Sequence, residues 1–174
     1  MTTASLLGTS TASEALQETY QEGECHCLAV ALHRHLGWEL VAITNPDDPY
    51  WEDEEDADNF IPSVTHVYAV DPQHRAWDIL GWRMADQMVP ECRENFGGWN
   101  LASDWMRQES ELAPYVGYWG DEDPIERPLS VYTDADVAAA WEHAQAVFAA
   151  LPEWQQALAA RLEPETPARR GPRP

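Results

Sequence analysis

The sequence predicts an α+β domain in which a helix near the N-terminus packs on an antiparallel sheet and further helices follow towards the C-terminus. Three observations carry this expectation. Cys25, Leu28, Ala29, Leu32 and Leu36 recur at spacings of three and four, which places them on one face of a helix. Val64 to Asp71 and Ala76 to Leu80 are strand-like runs separated by a turn at Pro72 and Gln73, so the two strands pair antiparallel. Asp134 to Leu151 is rich in alanine and carries acidic residues near its start, where they complement the positive end of a helix dipole.

Each element can be justified in order. Residues 1–13 are rich in Ser, Thr and Ala and read as a flexible leader, with order beginning between Glu14 and Gln21. The helix over Cys25 to Leu36 is approached through Gly23 and Glu24 and stopped by Gly37. Trp38 to Thr44 has strand character and is ended by Asn45, Pro46, Asp47, Asp48 and Pro49. Asp47 to Asp58 holds eight acidic residues around Tyr50 and Trp51, and like-charge repulsion predicts an exposed loop. The second strand of the hairpin ends at Gly81. Met84 to Asp123 is less regular, carries Trp99, Trp105 and Trp119, and is expected to hold short helices near Leu101 to Glu111. A further helix, Glu153 to Leu162, follows Pro152, and residues 163–174, with four prolines and three arginines, read as a flexible tail. This leaves one domain over residues 14–162, without internal repeats.

The chain of 174 residues has 31 acidic and 10 basic side chains and a formal charge of -21. It is also 44% hydrophobic with nine tryptophans, which is a folding composition rather than a disordered one. A field of this sign repels phosphate backbones and anionic membrane surfaces, so it argues against direct nucleic-acid or membrane binding and leaves basic peptides or proteins as partners. Nothing resembles a signal segment or an apolar span of about 20 residues, and the expected location is cytoplasmic. Three cysteines, Cys25, Cys27 and Cys92, cannot form a closed set of disulfides. Cys25 and Cys27 are separated by one residue and face opposite sides of a helix, which does not suit a zinc site. There is no phosphate-cradling glycine loop, His-Glu-x-x-His motif or calcium loop, so neither metal nor cofactor is expected.

The residues that point to chemistry are a cysteine at a helix start, His66 in a strand 41 positions later and Asp78 in the next strand 12 positions further on. A thiolate at a helix N-terminus is stabilised by unpaired N–H groups and the dipole, and a neighbouring imidazolium favours it further. Across a hairpin Asp78 can accept from one nitrogen of His66 while the other faces the thiol, the arrangement of nucleophile, base and orienting carboxylate. Cys27 is the rival thiol; since it faces about 200 degrees away from Cys25 on a helix, only one of the two can face His66. Cys25 is favoured by its place at the turn after Gly23. Asp71 is the alternative orienter, although it borders the Pro72 turn. The N–H of Cys25 is the expected oxyanion donor, with Gln17, or else Gln21, as a side-chain amide just upstream.

The run Gly23-Glu-Cys25-His-Cys-Leu28-Ala29-Val-Ala-Leu32 resembles the nucleophile helix of papain-like cysteine hydrolases in the broad sense that includes NlpC/P60 and transglutaminase-like proteins. Thr65-His66-Val67-Tyr68-Ala69-Val70 and Trp77-Asp78-Ile79-Leu80-Gly81 resemble the strands that carry the histidine and its acidic partner in those folds. The resemblance covers about residues 22–82. It implies a papain-like or transglutaminase-like core and a thiol protease, amidase, deamidase or acyltransferase, without choosing among them.

Tyr50 and Trp51, flanked by carboxylates, and Trp82 and Trp99, beside Gly81 and the Gly97-Gly98 pair, are the candidate substrate-binding residues. The alternative function is that of a noncatalytic acidic binding or inhibitory protein, imitating a nucleic-acid surface to dock on a basic partner.

Overall fold

The computed structural model describes residues 7–52, 60–95, 97–117 and 127–162. The strands are β1 (Gly8–Thr9), β2 (Glu39–Glu52), β3 (Phe60–Val70), β4 (Arg75–Asp78), β5 (Gly81–Met84) and β6 (Ala102–Met106). They form one sheet in the order β1-β5-β4-β3-β2-β6, with every neighbouring pair antiparallel. The α-helices are α1 (Glu14–Glu22), α2 (Cys25–Leu36), α3 (Met88–Asn95), α4 (Asp134–Val147) and α5 (Pro152–Leu162). The chain is therefore an α+β protein built on an antiparallel sheet.

Both faces of the sheet centre are covered, which is why Leu40 to Ile43 and Val67 to Val70 are buried without interruption. Alternate residues serve different cores. Leu40, Ala42, Val67, Ala69 and Trp77 join Leu28 and Leu32 of α2, Val137 and Ala144 of α4, and Trp154 of α5. Val41, Ile43, Tyr68, Val70 and Ala76 face the smaller cluster around Ala85, Met88 and Leu101. In the larger core Trp77 lies against Trp38, Phe148 and Trp154, with ring centroids 5.3 to 5.9 Å apart. Truncating such a ring costs about 3–5 kcal/mol.

Helix α2 runs over Cys25–Leu36 and stops where Gly37 takes φ 72° and donates its N–H to the His33 carbonyl. Helix α4 starts on a reciprocal pair in which Thr133 and Asp136 cap one another.

Several local expectations need correction. Of the leader expected over residues 1–13, residues 1–6 lie outside the described residues and the rest is built into the fold: Leu7 donates its N–H to the Trp82 carbonyl, Gly8 and Thr9 pair with Trp82 and Gly81, and Ser10 donates its N–H to the Leu80 carbonyl. The strand expected to end at Asn45 continues to Glu52, so the acidic stretch from Asp47 is not a loop throughout. Its pairing jumps from Asn45↔Ser63 to Pro49↔Pro62, and this bulge accommodates Pro46, Asp47 and Asp48, with both acids exposed. Residues 53–59 of that stretch, Trp119 and the expected tail 163–174 lie outside the described residues. Gly81 opens β5 instead of closing β4, with Ile79 and Leu80 forming the turn between them. The short helices expected near Leu101 to Glu111 give way to β6, which pairs with β2, and a 3-10 helix over Glu109–Tyr115. The helix expected to reach Leu151 ends at Val147.

Candidate functional site

Helix α2 packs across β3 and β4, and Cys25 is its first residue. Glu24, the residue before it, makes no side-chain cap, while its carbonyl accepts from the N–H groups of Cys27 and Leu28. A helix start leaves its foremost N–H groups without intrahelical acceptors, so a partial positive charge sits at the thiol. Cys25 is only 8% exposed.

His66 sits on β3 beside a bulge, where pairing with β2 moves from Ile43↔His66 to Thr44↔Val64. It shares a face with Tyr68, and the two rings are nearly parallel with centroids 6.1 Å apart. Asp78 is the last residue of β4. The β3/β4 register pairs Ala69 with Trp77 and Val70 with Ala76, which makes Asp78 a diagonal neighbour of His66 rather than its direct partner. His66 Nε2 lies 3.4 Å from Asp78 Oδ2, and the ring is within electrostatic reach of the Cys25 thiol. With Nε2 turned to the carboxylate, Nδ1 is the ring atom left to serve the sulfur.

Electrostatics separate the two thiols. Burial pushes the Cys25 thiol up, but the His26 and His66 rings beside it outweigh this and bring the group down to about 6. Burial pushes the Cys27 thiol up as well, the Glu24 and Asp136 carboxylates add to it, and that group rises to about 12. Burial alone would favour a neutral His66, yet hydrogen bonds and charge from Asp78 and Cys25 raise it to about 10. Burial likewise opposes the ionised form of Asp78. The Arg83 charge, the His66 contact and the Leu80 N–H hold its carboxyl below the usual range.

Two further residues complete the site, and neither is assigned a catalytic role from the sequence. Arg83, 5% exposed, donates from Nη2 to Asp78 Oδ2 at 2.5 Å and from Nη1 to Glu91 of α3 at 2.9 Å. Its signal in the sequence is faint: one of ten basic residues, set in an apolar strand next to Gly81 and Trp82. His26 is completely buried, with Nε2 3.6 Å from Cys27 Sγ and its ring edge-on to Tyr132.

The structure thus brings Cys25, His66 and Asp78 together. Gln17 is engaged elsewhere, donating from Nε2 to the Ala12 carbonyl at 2.9 Å, and Gln21 is exposed. Asp71 organises the β3/β4 turn instead, accepting from Arg75 Nε at 2.6 Å and Trp77 Nε1 at 3.0 Å. Trp82 packs on the large-core side with Trp77 and against the Gly8 backbone, whereas Arg83, the next residue, turns to Asp78. Trp82 is therefore a packing residue. Tyr50 is exposed on the arm of β2 beyond the bulge; Trp51 pairs with Ile61 there, and its side chain lies outside the described residues. Trp99 is 41% exposed beyond α3, and its carbonyl accepts from Arg93 Nε.

Among the described residues there is no group of three or more His, Cys, Asp and Glu side chains placed to hold a metal ion, and no helix is long and apolar enough to cross a membrane. Comparison with protein-family models, with curated proteins and with solved structures finds no match. What defines the molecule is its fold and this constellation: an α+β protein in which buried Cys25 at the start of α2, half-buried His66 on β3, buried Asp78 at the end of β4 and buried Arg83 on β5 lie together.

Proposed function

We propose that the protein is a cysteine-dependent hydrolase or acyl transferase with a papain-like or transglutaminase-like core, acting on an amide or related acyl bond of a peptide or protein. The observation that carries this reading is the placing of Cys25, first residue of α2, with a histidine whose Nε2 lies 3.4 Å from a carboxylate, and the contrast it brings: the His26 and His66 rings draw Cys25 towards the thiolate while Cys27 is held as a thiol. In the resting state the Cys25 sulfur is anionic and His66 carries the proton. The sulfur adds to the substrate carbonyl carbon, and the carbonyl π electrons move onto oxygen. His66 then gives its proton to the leaving amine as the C–N bond breaks, leaving a thioester on Cys25. Neutral His66 takes a proton from water or from an acceptor nucleophile, which attacks the thioester and regenerates the thiolate. Asp78 holds the ring and stabilises the imidazolium, and the Cys25 N–H serves the oxyanion.

The substrate is expected to be basic. Glu24 and Asp136 add negative charge beside the start of α2, and the formal charge of -21 steers cationic chains towards the molecule.

The test is the pH dependence of iodoacetamide alkylation followed at each cysteine by mass spectrometry, in the parent and in His66→Ala. Rapid labelling of Cys25 with a midpoint near pH 6, moved upward by several-fold in proton concentration when His66 is removed, supports the reading. Slow labelling, or labelling indifferent to His66, sinks it and favours a noncatalytic acidic binding protein.

A further inference from the structure

We propose that His26 is a catalytic donor at the same site: its Nδ1–H is held for the oxyanion that forms when Cys25 attacks a carbonyl, and Cys27 fixes the tautomer that makes this possible. The inference rests on the cysteine-hydrolase reading and adds to it a role for the His26-Cys27 pair that follows the nucleophile.

The starting observation is an unsatisfied group. His26 is 0% exposed, and its Nδ1 has no hydrogen-bond partner in the folded chain. A buried polar atom without a partner costs about 1–3 kcal/mol, so a fold that keeps one beside a reactive thiol points to a partner that forms during the reaction. The location fits, since His26 directly follows Cys25 in the first turn of α2. The side-chain amide expected for this task, that of Gln17, is turned to the Ala12 carbonyl.

Cys27 supplies the second half. Its sulfur lies 3.6 Å from His26 Nε2. Burial and the neighbouring Glu24 and Asp136 carboxylates keep this thiol protonated through the ordinary pH range. A persistent S–H donates to the lone pair on Nε2, so a neutral ring carries its single proton on Nδ1. The edge-on contact with Tyr132, whose hydroxyl donates to Glu109 at 2.9 Å, packs against the ring and opposes a flip. Cys27 is then a positioning residue acting through His26, which accounts for a second thiol two positions from the first.

The step involves no proton transfer at His26. As the Cys25 sulfur bonds to the carbonyl carbon, the C=O π pair moves to oxygen. The new oxyanion accepts from His26 Nδ1–H and the Cys25 N–H. When the C–O or C–N bond to the leaving group breaks, the carbonyl reforms and the Nδ1–H contact weakens.

Two reagents distinguish this role from activation of the thiol. Iodoacetamide alkylates Cys25 by displacement and forms no oxyanion, whereas p-nitrophenyl acetate acetylates it through a tetrahedral oxyanion with release of p-nitrophenolate. Both rates are measured on their high-pH plateaus, where Cys25 is ionised in every variant. His26→Phe is expected to lower acetylation about 100-fold, as for loss of an oxyanion-hole donor, with alkylation changed less than about threefold. Cys27→Ala, a milder change, is expected to lower acetylation about tenfold through loss of the preferred tautomer, an order-of-magnitude expectation for a positioning contact. Equal losses with the two reagents overturn the proposal. Because His26→Phe can fail to fold, the tautomer is also read directly in the parent by two-dimensional ¹⁵N–¹H NMR of the imidazole. An Nδ1–H ring that shifts towards Nε2–H in Cys27→Ala supports the proposal, and an Nε2–H ring in the parent overturns it while leaving the hydrolase reading intact. Parent Cys25 inert to both reagents overturns both readings.

Discussion

Arg83 donates from Nη2 to the very oxygen of Asp78 that faces His66, at 2.5 Å against 3.4 Å for the imidazole. The carboxylate is thus anchored first to the guanidinium and only then to the ring, while its other oxygen accepts the Leu80 N–H at 2.9 Å. Arg83 is itself braced by Glu91, so α3 on one face of the sheet steadies a group that orients the histidine.

Removing that anchor is expected to be costly. Arg83→Met leaves two carboxylates, Asp78 and Glu91, without their shared cation, with Asp78 buried, and breaking such a pair costs about 3–5 kcal/mol. Urea denaturation at neutral pH checks this, and a loss below about 1 kcal/mol would show that the two acids find other partners. Arg83→Lys keeps the charge but not the fork and should fall between the two.

The Cys25 and His66 pair predicts a plateau in stability against pH. Folded, the thiol is depressed to about 6 and the ring raised to about 10, from ordinary values of 9.0 and 6.5. Between pH 6.5 and 9.0 each state holds one proton on the pair, on the ring when folded and on the sulfur when unfolded, so the slope from this pair is zero. The depressed thiol contributes stability that is lost as pH falls through about 6. The raised ring contributes stability that is lost as pH rises through about 10. Cys27, raised to about 12, keeps a proton that the unfolded chain releases, so stability falls above pH 9.0 on its account too. Unfolding midpoints in urea from pH 6.5 to 10.5 test this, and Cys27→Ala should make the alkaline decline shallower. A steady slope across the neutral region would contradict the assignment of the pair.

Gly81 is expected to tolerate no side chain. Its φ is 129°, and a Cβ there would meet the Gly8 carbonyl oxygen at 1.8 Å. Gly81→Ala should therefore push β1 from β5 and disturb the turn that places Asp78, at a cost of at least about 2 kcal/mol from strain and lost pairing. Thermal unfolding measures the loss. The rate of Cys25 alkylation should fall with it, since the same turn donates the Leu80 N–H to Asp78.

Charge around the thiol should show in reagent choice. Glu24 and Asp136 act on this end of α2, so a cationic trimethylammonium methanethiosulfonate should modify Cys25 faster than its anionic sulfonate counterpart by about tenfold at low salt. Raising ionic strength to about 1 M, where the Debye length is about 3 Å, should compress the ratio. A ratio near one at low salt would mean that the net charge lies too far from the thiol to steer a substrate.

Local information alone was sufficient for α2. Its apolar spacing, Gly37 and the position of Cys25 as first residue are all readable in the sequence, because a helix and its stop depend on residues within one or two turns. The β3/β4 hairpin was legible for the same reason, and with it the approach of His66 and Asp78. Tertiary structure decided what local pattern could not. The extension of β2 depends on a partner strand that accommodates its prolines in a bulge, and β6 is a strand because it completes the edge beside β2. The ion pair of Arg83 with Asp78 and the burial of His26 beside Cys27 follow from packing between α2, α3 and the sheet. Hydrogen bonds and charges within a few ångströms set which thiol ionises, and those distances exist only once the layers have closed.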